Sequence, residues 1–142
     1  MEDTKYSTLH NYPKITNQNK LSCAVQGSQK VFNGHAVFNS NEQFKVIQVR
    51  KGHIRKKDLT YVLMYRHKEI MLRVDLIGAT HQGTPTPHVH IFDKSHDNGL
   101  TVIPLNQIPE YNTTDNVIES LGEFLKYTNF QVELLEISEP TV

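Results

Sequence analysis

The chain has 142 residues, 37% of them hydrophobic and 21% charged, which is enough to bury one core and too few for two domains. Fifteen basic and fifteen acidic side chains cancel, so no global field draws the protein to nucleic acid or to a membrane surface. A single cysteine, Cys23, excludes an internal disulfide and any multi-cysteine metal centre.

Read along the chain, the first residues, MEDTKYSTLHNYPK, are polar and do not form a signal peptide. No run of about 18 apolar residues follows anywhere, so a cytoplasmic protein with no membrane contact is expected. Residues 1–30 carry scattered apolar positions among Asn, Gln, Ser and Thr, and read as a weakly ordered lead-in with at most one helical turn. From Val31 the pattern becomes that of strands. VFNGHAVF and EQFKVIQVR alternate, with Asn39, Ser40 and Asn41 between them as a turn. In the second of these, Phe44 and Val46 oppose Ile47 and Val49, which predicts cover on both faces. KGHIRKKD, residues 51–58, interrupts with a glycine and four cations. LTYVLMYR, IMLRVDLIG, PHVHIF and LTVIPL then give four further strands, so residues 31–105 read as antiparallel strands joined by short loops. Pro87 suits the start of its strand, where a missing N–H is tolerated.

The period changes after that. Val117, Ile118, Leu121, Phe124 and Leu125 form one stripe at helical spacing, predicting a helix over 113–129. Thr113, Thr114 and Asp115 offer N-cap oxygens, and Asn129 suits the left-handed residue that ends it. FQVELLEI, residues 130–137, reads as a last strand. The expected architecture is α+β: one domain over 1–142, an antiparallel meander of five to six strands, and one long C-terminal helix packed on a face.

Strand alternation singles out one group. Arg73 and Asp75 share a face, as do His88 and His90, while Leu72, Val74 and Leu76 oppose the first pair and Val89 and Ile91 the second. If both apolar faces look into the core, Arg73, Asp75, His88 and His90 converge on the other side, and His81 in the connecting loop can fold over them. Three readings of this group stand open. Acid/base chemistry would use His88 and His90 as proton carriers, Asp75 to orient a ring, Arg73 for phosphate charge and His81 as a helper. Metal-independent RNA cleavage needs those parts and no cofactor. A metal site would take His88 and His90 at i and i+2 on the strand, with His81 or Asp75 as third ligand. The plain reading is a solvated sheet face carrying polar residues.

The other signals are weaker. The 51–58 run could grip phosphates, but such runs are more often solvated loops. Tyr61, Tyr65 and Phe92 could stack on bases, although aromatic residues in strands usually belong to the core. His10, His35, His53 and His96 show no partner spacing and read as surface residues, and Cys23 reads as inert.

The stretches MLRVDLIG, THQG…TPHVHIFDK and VIESLGEFLKYTN together resemble a domain-of-unknown-function family of small bacterial proteins, often carried on prophages. Arg73, Asp75, His81, Pro87, His88, His90 and Tyr127 sit at that family's marked positions. The resemblance covers about residues 44–130 and departs in the loop before Pro87 and in DKSHDNG. A looser similarity, in the Arg-x-Asp strand and the proline/histidine loop, is to TumE-type toxins of toxin–antitoxin pairs. It implies a ribonuclease-like toxin acting on RNA and neutralised by an antitoxin protein. A non-catalytic, phage-encoded inhibitor or regulator of a host protein is the alternative.

Overall fold

The computed structural model describes residues 1–52 and 57–140. In chain order these form α1 (Asp3–Asn11), β1 (Lys14–Thr16), β2 (Lys20–Ser22), β3 (Gln29–Ala36), β4 (Asn39–Val49), β5 (Leu59–Tyr65), β6 (Glu69–Ile77), β7 (His88–Ile91), β8 (Val102–Pro104), α2 (Val117–Tyr127) and β9 (Glu136–Ser138). Two 3₁₀ turns, Lys94–Gly99 and Leu105–Gln107, flank β8. Seven strands make one sheet in the order β1-β3-β4-β5-β6-β7-β8, with every neighbouring pair antiparallel. The α+β class holds, and the sheet is larger than the five to six strands expected. Among the described residues no helix is long and apolar enough to cross a membrane.

One face of the sheet carries the core. Cross-strand partners Gln48 and Tyr61, Tyr61 and Val74, and Val74 and Val89 are all fully buried. The helix α2 lies on this face, with its Phe124 ring stacked on Tyr61 at 5.2 Å and Ser120 bonded to the Tyr61 hydroxyl at 2.6 Å. Leu121, Phe124 and Leu125 are fully buried, each stabilising the fold by about 1.5–3 kcal/mol through its burial.

The helix runs for 11 residues, shorter than the predicted 113–129. Its N-cap is Asn116, whose Oδ1 accepts from the backbone N–H of Ile118 and Glu119, so Thr113, Thr114 and Asp115 stay outside it. At the other end Thr128 turns its hydroxyl back onto the Phe124 carbonyl at 2.8 Å, and Asn129 takes the expected left-handed conformation with φ 67°.

Several other expectations need correcting. Residues 1–30, read as a weakly ordered lead-in, carry a nine-residue helix and two strands, and begin a third. Three-residue strands are too short to show a period, which is why polarity alone misled. Lys14 ties this segment down: its ammonium is buried and donates to the carbonyls of His10, Tyr12 and Thr128 at 2.9, 3.0 and 2.8 Å. Asn39, Ser40 and Asn41 belong to β4, and the turn before them is Val37–Phe38. In β4 the inward face is buried while Ile47 and Val49 are half-buried. The last strand is β9, later than 130–137 suggests, and it pairs in parallel with β2 outside the main sheet. In the 51–58 run, residues 53–56, including His53, lie outside the described residues.

Candidate metal centre

The sheet's second face carries the polar group. The register places Asp75 between Thr60 and His88, and Arg73 between Val62 and His90, in two adjacent cross-strand rows. This puts Arg73, Asp75, His88 and His90 on one face, as alternation suggested, in a register that alternation does not specify. Unlike a solvated face, the row is covered: Asp75 is 2% exposed, His88 0% and His90 8%.

Two loops provide the cover and hold the rings. His81, Gln82, Gly83 and Thr84 form a tight turn, with reciprocal backbone bonds between His81 and Thr84 of 3.0 and 2.8 Å. Both central residues have positive φ, 49° at Gln82 and 78° at Gly83, the signature of a type I′ turn. This turn brings the half-exposed His81 over the strand, and its Thr84 carbonyl accepts from His88 Nδ1 at 3.1 Å. On the other side, the turn Lys94–Gly99 aims the Gly99 carbonyl at His90 Nδ1, 2.9 Å away. Gly99 has φ 90°, and a Cβ there would lie 2.5 Å from the Phe92 ring, so the position requires glycine.

These anchors determine what the rings present inward. A nitrogen that faces a carbonyl must donate, so in neutral His88 and His90 the proton is on Nδ1 and Nε2 carries a lone pair. Yet both Nε2 atoms face one carboxylate oxygen, Asp75 Oδ2, at 2.8 and 3.2 Å. His81 Nδ1 joins them, 3.1 Å from His88 Nε2 and 3.6 Å from the same oxygen. In the tautomer of His81 that carries its lone pair on Nδ1, four acceptor atoms surround one point, an arrangement that a cation bound between them satisfies.

The carboxylate is prepared for the same role. Its other oxygen, Oδ1, accepts from Arg73 Nε at 2.9 Å and Thr60 Oγ1 at 2.8 Å, leaving Oδ2 alone to face the rings. Burial by itself would raise the Asp75 carboxyl, but the bonds from Arg73, Thr60 and His88 outweigh it and hold the group below the usual carboxylate range. The His81 ring is held below its ordinary value by burial, despite the pull of Asp75, and Arg73, His88 and His90 add to the lowering. Both groups therefore keep their lone pairs available.

The ligating atoms of Asp75, His81, His88 and His90 all lie within 4.8 Å of one another, the one such group among the described residues. Ligands about 2.0–2.1 Å from a tetrahedral zinc ion sit roughly 3.3–3.4 Å apart. Four of the six separations, 2.8, 3.1, 3.2 and 3.6 Å, bracket that edge and all six lie within 4.8 Å, so the donor set can close on such an ion with small side-chain shifts.

All five residues singled out from the sequence thus come together, with Arg73 one step back from the convergence point. Alternation did not reveal Thr60, Gly99 or the Thr84 carbonyl. Thr60 becomes visible once the β5–β6 register is known, and Asn98-Gly99 was legible only as a turn. The stacking residues Tyr61 and Tyr65 are buried in the core. His10 is half-buried, with its ring stacked on Tyr6 at 5.8 Å, and His35 and His96 are also half-buried and bonded to Ala36 and Asp93, so none of these three is a free surface residue.

Fold and site together define an α+β chain with a nitrogen/oxygen ligand set built on one hairpin of an antiparallel sheet. Residues 1–130 match the model of a family of unknown function, DUF6978, and the chain belongs to that family. No curated protein and no solved structure matches it.

Proposed function

We propose that this protein is a zinc-type metalloprotein with the features of a metal-dependent hydrolase, its ion held by Asp75, His88 and His90, with the half-exposed, loop-borne His81 as a fourth ligand that water or substrate can replace. The observation that supports this most is the pinning of His88 and His90 through Nδ1 to backbone carbonyls, which turns two lone pairs toward the Asp75 carboxylate. Metal-ligating histidines are typically oriented by such an outer bond. Two features favour a reactive site over a purely structural one. The donors include no cysteine, whereas structural zinc sites lean on thiolates, and the ligand set opens on a cleft of about 390 Å³ lined by Asp75 and His81. With His81 displaced, zinc held by the other three would have an open position, where it would polarise a bound oxygen and make water acidic near neutral pH.

Metal-independent cleavage of RNA by His88 and His90 is the competing reading, and with it the toxin role. It requires both rings to meet a substrate, and the His88 ring is fully enclosed. Burial favours a ligand role for it. Elemental analysis of the full chain, purified without chelator, should find about one equivalent of zinc or a similar ion per chain, and His88→Ala should lose it. A parent that stays metal-free after exposure to zinc would sink the metalloprotein reading. Growth arrest in a bacterial host by such a metal-free chain would favour the toxin, and a harmless, metal-free chain would favour an interaction protein.

A further inference from the structure

We infer that the cleft beside the metal centre binds a small organic phosphate that carries a hydroxyl or amino group, an inference that rests on the metalloprotein reading. The cleft has Arg73 and Lys51 on its walls, together with Asp58 and the apolar side chains of Val62 and Ile77. Arg73 spends only Nε on Asp75; its Nη atoms have no hydrogen bond to any described residue, and its side chain is 39% exposed. Lys51 is exposed and has no ion pair among the described residues. A guanidinium fork, an ammonium and a metal ion around one cleft suit a ligand with several anionic oxygens, which a phosphate supplies and a carboxylate supplies less fully.

Asp58 gives the ligand a second end. Its Oδ1 is shielded from solvent and has no hydrogen-bond partner among the described residues. Buried carboxylate oxygens are rarely left without a donor, because the lost hydration is costly. A bare anion cannot supply that donor, but a hydroxyl or amino group on the ligand can, once it displaces the contacts that shield the oxygen. Val62 and Ile77 lie along the cleft to meet the carbon skeleton between the two ends. The ligand is thereby oriented, phosphate toward Arg73, Lys51 and the ion, donor toward Asp58.

The test uses the full chain loaded with cobalt(II), whose visible bands report the ion's surroundings. Inorganic phosphate, ethyl phosphate and glycerol 3-phosphate are titrated in turn. All three should shift the bands, and glycerol 3-phosphate should bind most tightly. Lys51→Met should weaken all three about tenfold with the starting spectrum unchanged. Asp58→Leu should weaken glycerol 3-phosphate alone; if that variant does not fold, Asp58→Asn should show the same preference in milder form. Cobalt bands that no phosphate moves, or equal binding by parent and Lys51→Met, would overturn the inference and leave the metal reading standing. An absence of cobalt binding would instead remove the metal reading, and this inference with it.

Discussion

The Gly99 carbonyl and the His90 ring are joined by a 2.9 Å hydrogen bond that spans nine positions of sequence and fixes which nitrogen of His90 looks inward. The loop supplying that carbonyl contains three consecutive residues of positive φ, Asp97 at 52°, Asn98 at 50° and Gly99 at 90°. A side chain at Gly99 meets both a disfavoured backbone conformation and the Phe92 ring. Gly99→Ala should therefore rotate or release His90 and lower zinc affinity about 10–100-fold, the usual effect of losing an outer-shell bond. Competition with a chromophoric chelator measures this, and an unchanged affinity would mean that His90 is not held for a metal.

Asp75→Asn keeps the shape of the side chain and removes its charge. Zinc affinity should fall at least about a hundredfold, near 3 kcal/mol. The metal-free variant should also lose stability, since Arg73 would face the three rings with no carboxylate between them. Denaturant unfolding of the apo forms tests the second half. A stability equal to that of the parent would show that the carboxylate does not organise the cluster.

His10 predicts an acid-sensitive step away from the metal. Burial, reinforced by Lys14, pushes its imidazole down to about 4 from 6.5, and its Nε2 is enclosed without a partner among the described residues. Between those two values the unfolded chain takes up a proton that the folded chain refuses. Stability should therefore fall as pH drops from 6.5 to about 4 and then level off, by up to about 3 kcal/mol in total. His10→Phe, able to stack on Tyr6 and Tyr127, should lack that decline. Parallel acid profiles for the two proteins would refute the assignment.

Lys14 is the test of the N-terminal segment. Its ammonium, pushed down to about 7 by burial, is the shared donor for carbonyls at the ends of α1 and α2, where the helix dipoles are negative. Lys14→Met preserves volume but leaves the carbonyls of Tyr12 and Thr128 without this donor, while that of His10 keeps Asn129 Nδ2 at 2.8 Å, with an expected loss of about 1–3 kcal/mol after the relief of a buried charge is counted. A shift under 0.5 kcal/mol in urea unfolding would contradict this role.

The parts legible in the sequence were those set by the two-residue period. Alternation in β6 and β7 put Arg73, Asp75, His88 and His90 on one side before any pairing was known, because their opposite sides are aliphatic, Leu72, Val74 and Leu76 in one strand and Val89 and Ile91 in the other. The register Asp75 to His88 and Arg73 to His90 agrees with it. That His81 could fold over these residues was legible from its place in the connecting loop, but the turn that carries it there was not, because it depends on positive φ at Gln82, a residue with no special preference for that conformation. Burial was not legible either: nothing in PHVHIF shows that the turns at 81–84 and 94–99 close over it. At the N-terminus, nothing in the sequence singles out Lys14, since only tertiary structure brings three carbonyls to it.

The four proposed ligands lie within sixteen consecutive residues, Asp75 to His90, at the margin of the sheet where β7 has four residues and β8 three. An ion there closes only short loops, so its entropic cost is small and its grip depends little on the rest of the chain. Short terminal strands hold their place weakly on backbone bonds alone. The ion would act as a staple for that margin, so that in a zinc-poor cell this border would loosen and carry its cleft away while the body of the sheet, from β1 to β5, stayed assembled around α2.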